Sequence, residues 1–120
     1  MGDGGLDGRC HCGRVTVRLP RLPDSITQCN CSLCSKTGFR GVYFGSDELE
    51  IAGTFDSYIR EDMTHPYLAT HRCKNCGTVT HWTPLIDPPH ERMGVNSRLF
   101  DAAMLADVPV EHIDGASWKE

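Results

Sequence analysis

The chain has 120 residues, 39% of them hydrophobic and 23% charged, with a formal net charge of −4. That length fits one domain burying about two thirds of its unfolded surface. The acidic balance and the lack of any lysine or arginine run argue against a general nucleic-acid or anionic-membrane binder, and no apolar run approaches the ~20 residues of a membrane span.

Residues 1–8 are glycine-rich and read as a flexible leader, with neither the basic start nor the apolar stretch of a secretory signal. The expected compartment is cytoplasmic, where thiols stay reduced and clustered cysteines serve metal binding or catalysis more often than disulfides. Residues 9–106 read as the folded domain and 107–120 as an irregular tail. Residues 9–19 alternate, with Val15, Val17 and Leu19 on one side, which is strand period. Pro20 and Pro23 end that strand. Residues 25–28 predict a short strand, 38–44 another with a turn at 45–47, and 49–52 with 55–60 a hairpin around Gly53 and Thr54. Residues 66–72 lead as a strand into Cys73, and 77–82 lead out as its partner. Pro84, Pro88 and Pro89 mark a loop, 93–96 a last central strand, and 101–105 a helical turn. Short strands punctuated by glycine and proline predict an all-β, single-domain fold of antiparallel strands.

All seven cysteines fall in three clusters: Cys10-His-Cys12-Gly, Cys29-Asn-Cys31-Ser-Leu-Cys34, and Cys73-Lys-Asn-Cys76-Gly. Zinc takes thiolates tetrahedrally at about 2.3 Å, so its ligands must converge. A C-x-C pair on a strand does this because side chains at i and i+2 leave the same face. In C-x-x-C-G the chain folds tightly around the metal, and Gly77 supplies a positive φ. The central cluster can place three sulfurs on one ion, as a strand pair joined to a tight turn. Cys10, Cys12, Cys73 and Cys76 then remain for a closed four-thiolate site that pins distant parts of the chain.

Three thiolates leave a fourth position for water or an exogenous ligand, which separates catalytic from structural zinc. Such an ion carries a net charge of about −1 and favours a soft donor, a thiol, whose pKa it lowers. The reaction class that follows is thiol–aldehyde addition or its reverse. The competing reading is a second structural site completed by a histidine or a partner chain, with His71 and His81 the nearest candidates in sequence. Lys36, Arg40 and Arg60 can hold the carboxylates of a glutathione-like thiol, or simply face solvent. Phe39, Tyr43, Phe44 and Trp82 are core or cavity wall, and Asn96 is a strand-end or cavity amide.

The segments Gly8-Arg-Cys-His-Cys-Gly-Arg-Val15, Cys29-Asn-Cys-Ser-Leu-Cys-Ser-Lys-Thr-Gly38, Arg72-Cys-Lys-Asn-Cys-Gly-Thr78 and Gly94-Val-Asn-Ser-Arg-Leu-Phe-Asp101 resemble the glutathione-dependent formaldehyde-activating enzyme family, which includes centromere protein V. The resemblance implies a β-tent fold with two zinc ions. By position, Cys10, Cys12, Cys73 and Cys76 match the structural ligands, and Cys29, Cys31 and Cys34 the catalytic set. It further implies a carbon–sulfur lyase that forms S-hydroxymethylglutathione from formaldehyde and glutathione. Asn30 and Ser35 depart from the family pattern, standing where members often carry His and Arg. The rival from another class is a non-catalytic, zinc-stabilised module that binds a protein partner.

Overall fold

The computed structural model describes residues 5–85 and 92–117. Among these residues ten strands form two sheets. The smaller contains β1 (Leu6–Arg9), β2 (Thr16–Leu19) and β5 (Glu50–Ala52), in the order β1-β2-β5. The larger contains β3 (Ile26–Cys29), β4 (Gly41–Gly45), β6 (Phe55–Tyr58), β7 (Leu68–Cys73), β8 (Val79–Pro84), β9 (Arg92–Asn96) and β10 (Val110–Ile113). Its order is β10-β3-β4-β9-β8-β7-β6. One α-helix, α1 (Ser32–Thr37), interrupts the strands, and no helix among the described residues is long and apolar enough to cross a membrane. The fold is all-β, as expected.

Alternation of apolar residues explains how the sheets meet. In β2, Val17 and Leu19 point inward while Thr16 stays exposed. They pack with Ile26 of β3, Val42 and Phe44 of β4, and Val95 of β9. Leu99, Phe100, Leu105 and Val108, from the turns after β9, close the same cluster. Burying each such side chain contributes about 1.5–3 kcal/mol. A second, smaller cluster holds Cys10, Val15 and Cys73, with Phe55 and Cys76 against it, so the cysteine turns form part of the interior.

Several expected elements differ from those observed. The single strand expected over 9–19 is a hairpin, β1 against β2, with Leu6 opposite Leu19 and Arg9 opposite Thr16. Gly13, at φ 82°, and the bond from Cys10 N–H to the Val15 carbonyl reverse the chain between them. Leu6 to Gly8 are therefore paired strand, where a flexible leader was expected; residues 1–4 lie outside the described residues. The hairpin expected around Gly53 is absent. β5 pairs with β2 and β6 with β7, so the chain changes sheets there. Gly53 allows this at φ 129°, where a Cβ would stand 2.7 Å from the Arg14 carbonyl oxygen.

The tail expected to be irregular contributes β10, which pairs with β3 in parallel rather than antiparallel. Of the prolines expected to mark a loop, Pro84 is the last residue of β8, and Pro88 and Pro89 lie outside the described residues. The helical turn near 101–105 forms as Ala102–Leu105, capped by the Asp101 carboxylate accepting from Ala103 N–H.

Strand β9 owes its place to Gly94, which lies opposite Trp82 in β8 and Tyr43 in β4. A Cβ there would collide with Trp82 Nε1. Gly94→Ala is expected to cost about 1–3 kcal/mol through forced displacement of the indole, read as a lower midpoint in thermal unfolding of the metal-loaded protein.

Candidate metal centres

The first centre lies where two turns meet. The β1–β2 turn brings Cys10 and Cys12, and the β7–β8 turn brings Cys73 and Cys76. Cys10 Sγ lies 3.7 Å from Cys12 Sγ, which lies 3.6 Å from Cys73 Sγ, and all four sulfurs fall within 4.8 Å of one another. A tetrahedral zinc with 2.3 Å bonds needs sulfurs about 3.8 Å apart. These separations are far too long for disulfides, and all seven thiols are free.

The two turns share one construction despite their different spacing. Cys10 N–H donates to the Val15 carbonyl and Gly13 N–H to the Cys10 carbonyl. Cys73 N–H donates to the Thr78 carbonyl and Gly77 N–H to the Cys73 carbonyl. Gly77 takes φ 80°, as expected, beside the φ 82° of Gly13. The C-x-C pair therefore converges through a turn, not through the same-face geometry of a strand. Backbone N–H groups also aim at sulfur, Val15 N at Cys10 Sγ (3.3 Å) and Cys76 N at Cys73 Sγ (3.4 Å). Such donors favour the thiolate form that a metal requires.

Their surroundings pull Cys12, Cys73 and Cys76 in opposing directions. The Thr78 hydroxyl and backbone hold Cys76 down to about 5. Cys12 is lowered, chiefly by the Asn75 side chain. Although the Cys76 N–H favours its thiolate, Cys73 is raised by burial and by the neighbouring Cys12 and Cys10 thiols. A bound dication removes that conflict.

The second centre is built by the end of β3 and the start of α1. Cys29 ends the strand, Cys31 caps the helix, and Cys34 sits in its first turn. Cys31 Sγ accepts from Cys34 N–H at 3.4 Å, and Cys29 Sγ from Cys31 N–H at 3.5 Å. Gly38, in the left-handed region at φ 77°, ends the helix after six residues by donating to the Cys34 carbonyl. The expected pair of strand positions plus tight turn is thus a capped helix. Its three sulfurs lie within 4.8 Å of one another, and among the described residues no histidine or carboxylate joins them. Burial, then the Cys31 and Cys29 thiols, push Cys34 up. At Cys31 burial acts the same way, but the Cys34 N–H, the other two thiols and Arg60 outweigh it, leaving that thiol lowered.

His71 and His81 do not complete either centre. They face each other across β7 and β8, with rings stacked 4.6 Å apart. His71 is engaged by Ser57 Oγ at Nδ1 (2.7 Å) and Thr83 Oγ1 at Nε2 (2.8 Å). His81 is 4% exposed and bonded at Nδ1 to Thr80 Oγ1. Asn96 serves as a buried bracket: its Oδ1 accepts from Arg40 and Arg98 N–H, and its Nδ2 donates to the Val79 carbonyl.

Arg60 does reach the second centre. Its guanidinium acts on Cys31 and is fixed by Asp62 through Nε and Nη2, both at 2.7 Å. Lys36 and Arg40 show no such link. Tyr43 lies near the same centre, beside Cys29 and Cys34. Burial raises its phenol, Thr27 and Arg92 oppose that, and the Cys34 and Cys29 thiols add to it. Asp62 and the C-terminal segment around Gly115 carried no sequence signal: the Arg60–Asp62 pair is local but tells nothing until Arg60 meets Cys31, and the C-terminal segment reaches Asn30 only by long-range packing. A cavity of about 310 Å³ opens beside Cys29, between Gln28, Ser35 and His112. A larger one, about 1000 Å³, lies against the small sheet and has no cysteine in its wall.

The model of a glutathione-dependent formaldehyde-activating enzyme matches residues 5–113. This chain belongs to that family. A crystal structure of a Rhodobacter sphaeroides protein superposes with a TM-score of 0.65 at 24% identity, over 88% of this chain and all of that one. That likeness supports the fold. In this family member the two cysteine clusters can each hold a metal ion, and all-sulfur donors at these spacings suit zinc.

Two outcomes follow. Cys73→Ala takes one buried ligand from the first centre, and soluble metal-loaded protein is expected to give way to aggregated or unfolded chain in gel filtration. Burial, with the charge of His71 added, lowers His81 to about 4 from 6.5. The unfolded chain therefore takes up that proton first. Stability is complete above about pH 6.5 and falls by about 3 kcal/mol as pH drops toward 4. In His81→Gln that share of the acid loss should disappear from pH-dependent denaturant melts, while the loss due to thiolate protonation remains.

Proposed function

We propose that this family member joins glutathione to formaldehyde, forming S-hydroxymethylglutathione, as a carbon–sulfur lyase with a structural and a catalytic zinc. Cys10, Cys12, Cys73 and Cys76 hold the first ion, and Cys29, Cys31 and Cys34 the second. The observation that carries this reading is the three-sulfur set with no fourth protein donor among the described residues. When bound there, zinc lowers the pKa of an exogenous thiol and keeps it as thiolate at neutral pH.

The chain's own residues supply the rest. Arg60, fixed by Asp62, places a positive charge beside Cys31, offsetting the surplus negative charge of three thiolates and attracting an anionic thiol. The N–H groups of Cys31 and Cys34 steady the sulfurs without taking part in the reaction. The cavity beside Cys29 gives space for the body of a tripeptide-sized thiol. In the addition itself a C–S bond forms, the carbonyl π bond opens, and the thiol proton ends on the new hydroxyl. The reverse reaction returns the same atoms. A protein-binding module would require neither an incomplete sulfur set nor an arginine trained on it.

Metal analysis and turnover test this together. Wild type should carry about two zinc ions per chain and Cys31→Ala about one, with the variant still folded. Formaldehyde loss in the presence of glutathione should be faster with wild type than without protein, and Cys31→Ala should abolish that gain. Equal rates for wild type and variant would refute the assignment.

A further inference from the structure

The residue between Cys29 and Cys31 fastens the C-terminal part of the chain to the second centre. Asn30 makes three bonds to it. Its backbone N–H donates to the Ile113 carbonyl (3.2 Å), its Nδ2 donates to Asp114 Oδ1 (2.9 Å), and its Oδ1 accepts from Ala116 N–H (2.9 Å). Ser117 adds a turn within the segment, donating from N–H and Oγ to the Asp114 carbonyl at 3.3 and 3.0 Å. The alignment begins one strand earlier, where Ile113 of β10 pairs in register with Cys29 of β3.

This fastening lays Gly115 on the sulfur. A Cβ at Gly115 would stand 2.5 Å from Cys29 Sγ and 3.4 Å from Cys31 Cβ. Main chain therefore occupies the Cys29 flank of the centre at van der Waals contact, and only glycine permits that approach. On the Cys31 flank stands Arg60. A ligand that completes the second centre must fit between them.

We propose that residues 114–116 form a specificity wall, positioned by Asn30, that admits thiols unbranched beside sulfur and rejects thiols branched there. This rests on the reading of the Cys29, Cys31 and Cys34 set as a metal centre with an exogenous thiol ligand. Gly115 sets the clearance, because a sulfur donor beside Cys29 carries its first carbon toward the wall. A methylene clears the backbone, whereas a fully substituted carbon meets it. Asn30 and Asp114 also line the cavity beside Cys29, but toward a thiol too small to enter it they are positioning residues, acting by keeping the wall in place.

The test uses the full chain loaded with cobalt in place of zinc, in which thiol binding at the second centre changes the sulfur-to-cobalt charge-transfer absorption. The probes are 2-mercaptoethanol, a primary thiol, and penicillamine, whose sulfur sits on a fully substituted carbon. Wild type should prefer the primary thiol at least ~10-fold, a difference of about 1.4 kcal/mol. Asn30→Ala removes both side-chain bonds to the wall, and Asp114→Ala removes one from an exposed position. Each should shrink the preference toward ~3-fold by strengthening penicillamine binding, while binding of 2-mercaptoethanol and total cobalt content stay near wild type. A preference unchanged in Asp114→Ala and in a folded Asn30→Ala would overturn the wall while leaving the open centre intact. If neither thiol perturbs the wild-type spectrum, the centre takes no exogenous thiol, and the functional reading falls along with the wall.

Discussion

Sulfur crowding is the constraint on which this molecule rests. Seven thiols are gathered into two sets, in each of which every sulfur lies within 4.8 Å of the others. Backbone amides point at several of them, so the chain is organised for thiolates, yet adjacent thiolates repel and burial penalises each charge. The opposing directions at Cys76 and Cys73, and at Cys31 and Cys34, express that conflict. A divalent cation would resolve it in either set.

The first centre does more than close a turn. Cys10 and Cys12 leave the small sheet, whereas Cys73 and Cys76 leave the large one, so an ion held by all four would tie the sheets together. Cross-linking positions 61 residues apart in sequence is worth roughly 4 kcal/mol in chain entropy. The second centre joins nothing so distant, since its ligands span six residues. A ligand exchanged there would leave the link between the sheets untouched.

Much of this was legible in the residues. The cysteine spacing separated the four-sulfur from the three-sulfur set, and the strands around Cys73 and Cys76 and the glycine at 77 fell where expected. Strand alternation was a weaker guide wherever a turn hid inside it. In the run from 9 to 19 the period of two holds over Val15, Val17 and Leu19, but the step of five from Cys10 to Val15 breaks it, and that is where the turn lies. The hairpin expected at Gly53 failed for a different reason. Local turn chemistry marks a reversal but does not name the partner, and β5 found β2 instead of β6. His71 and His81 looked available for metal in sequence; hydroxyls from Ser57, Thr80 and Thr83 engage them in space. Arg60 could be singled out by type, but its link to Cys31 depends on Asp62 and on the path between β6 and β7.

The parallel pairing of β10 with β3 makes the far end of the chain a structural neighbour of residues near its first quarter. Without β10, the strand that delivers Cys29 would become the border of the large sheet, with unsatisfied amides facing water and open to pairing with another molecule. The same pairing carries Ala116 and Ser117 to the residue between two of the sulfurs, so a histidine substituted at either position would offer the three-sulfur set a competing nitrogen donor.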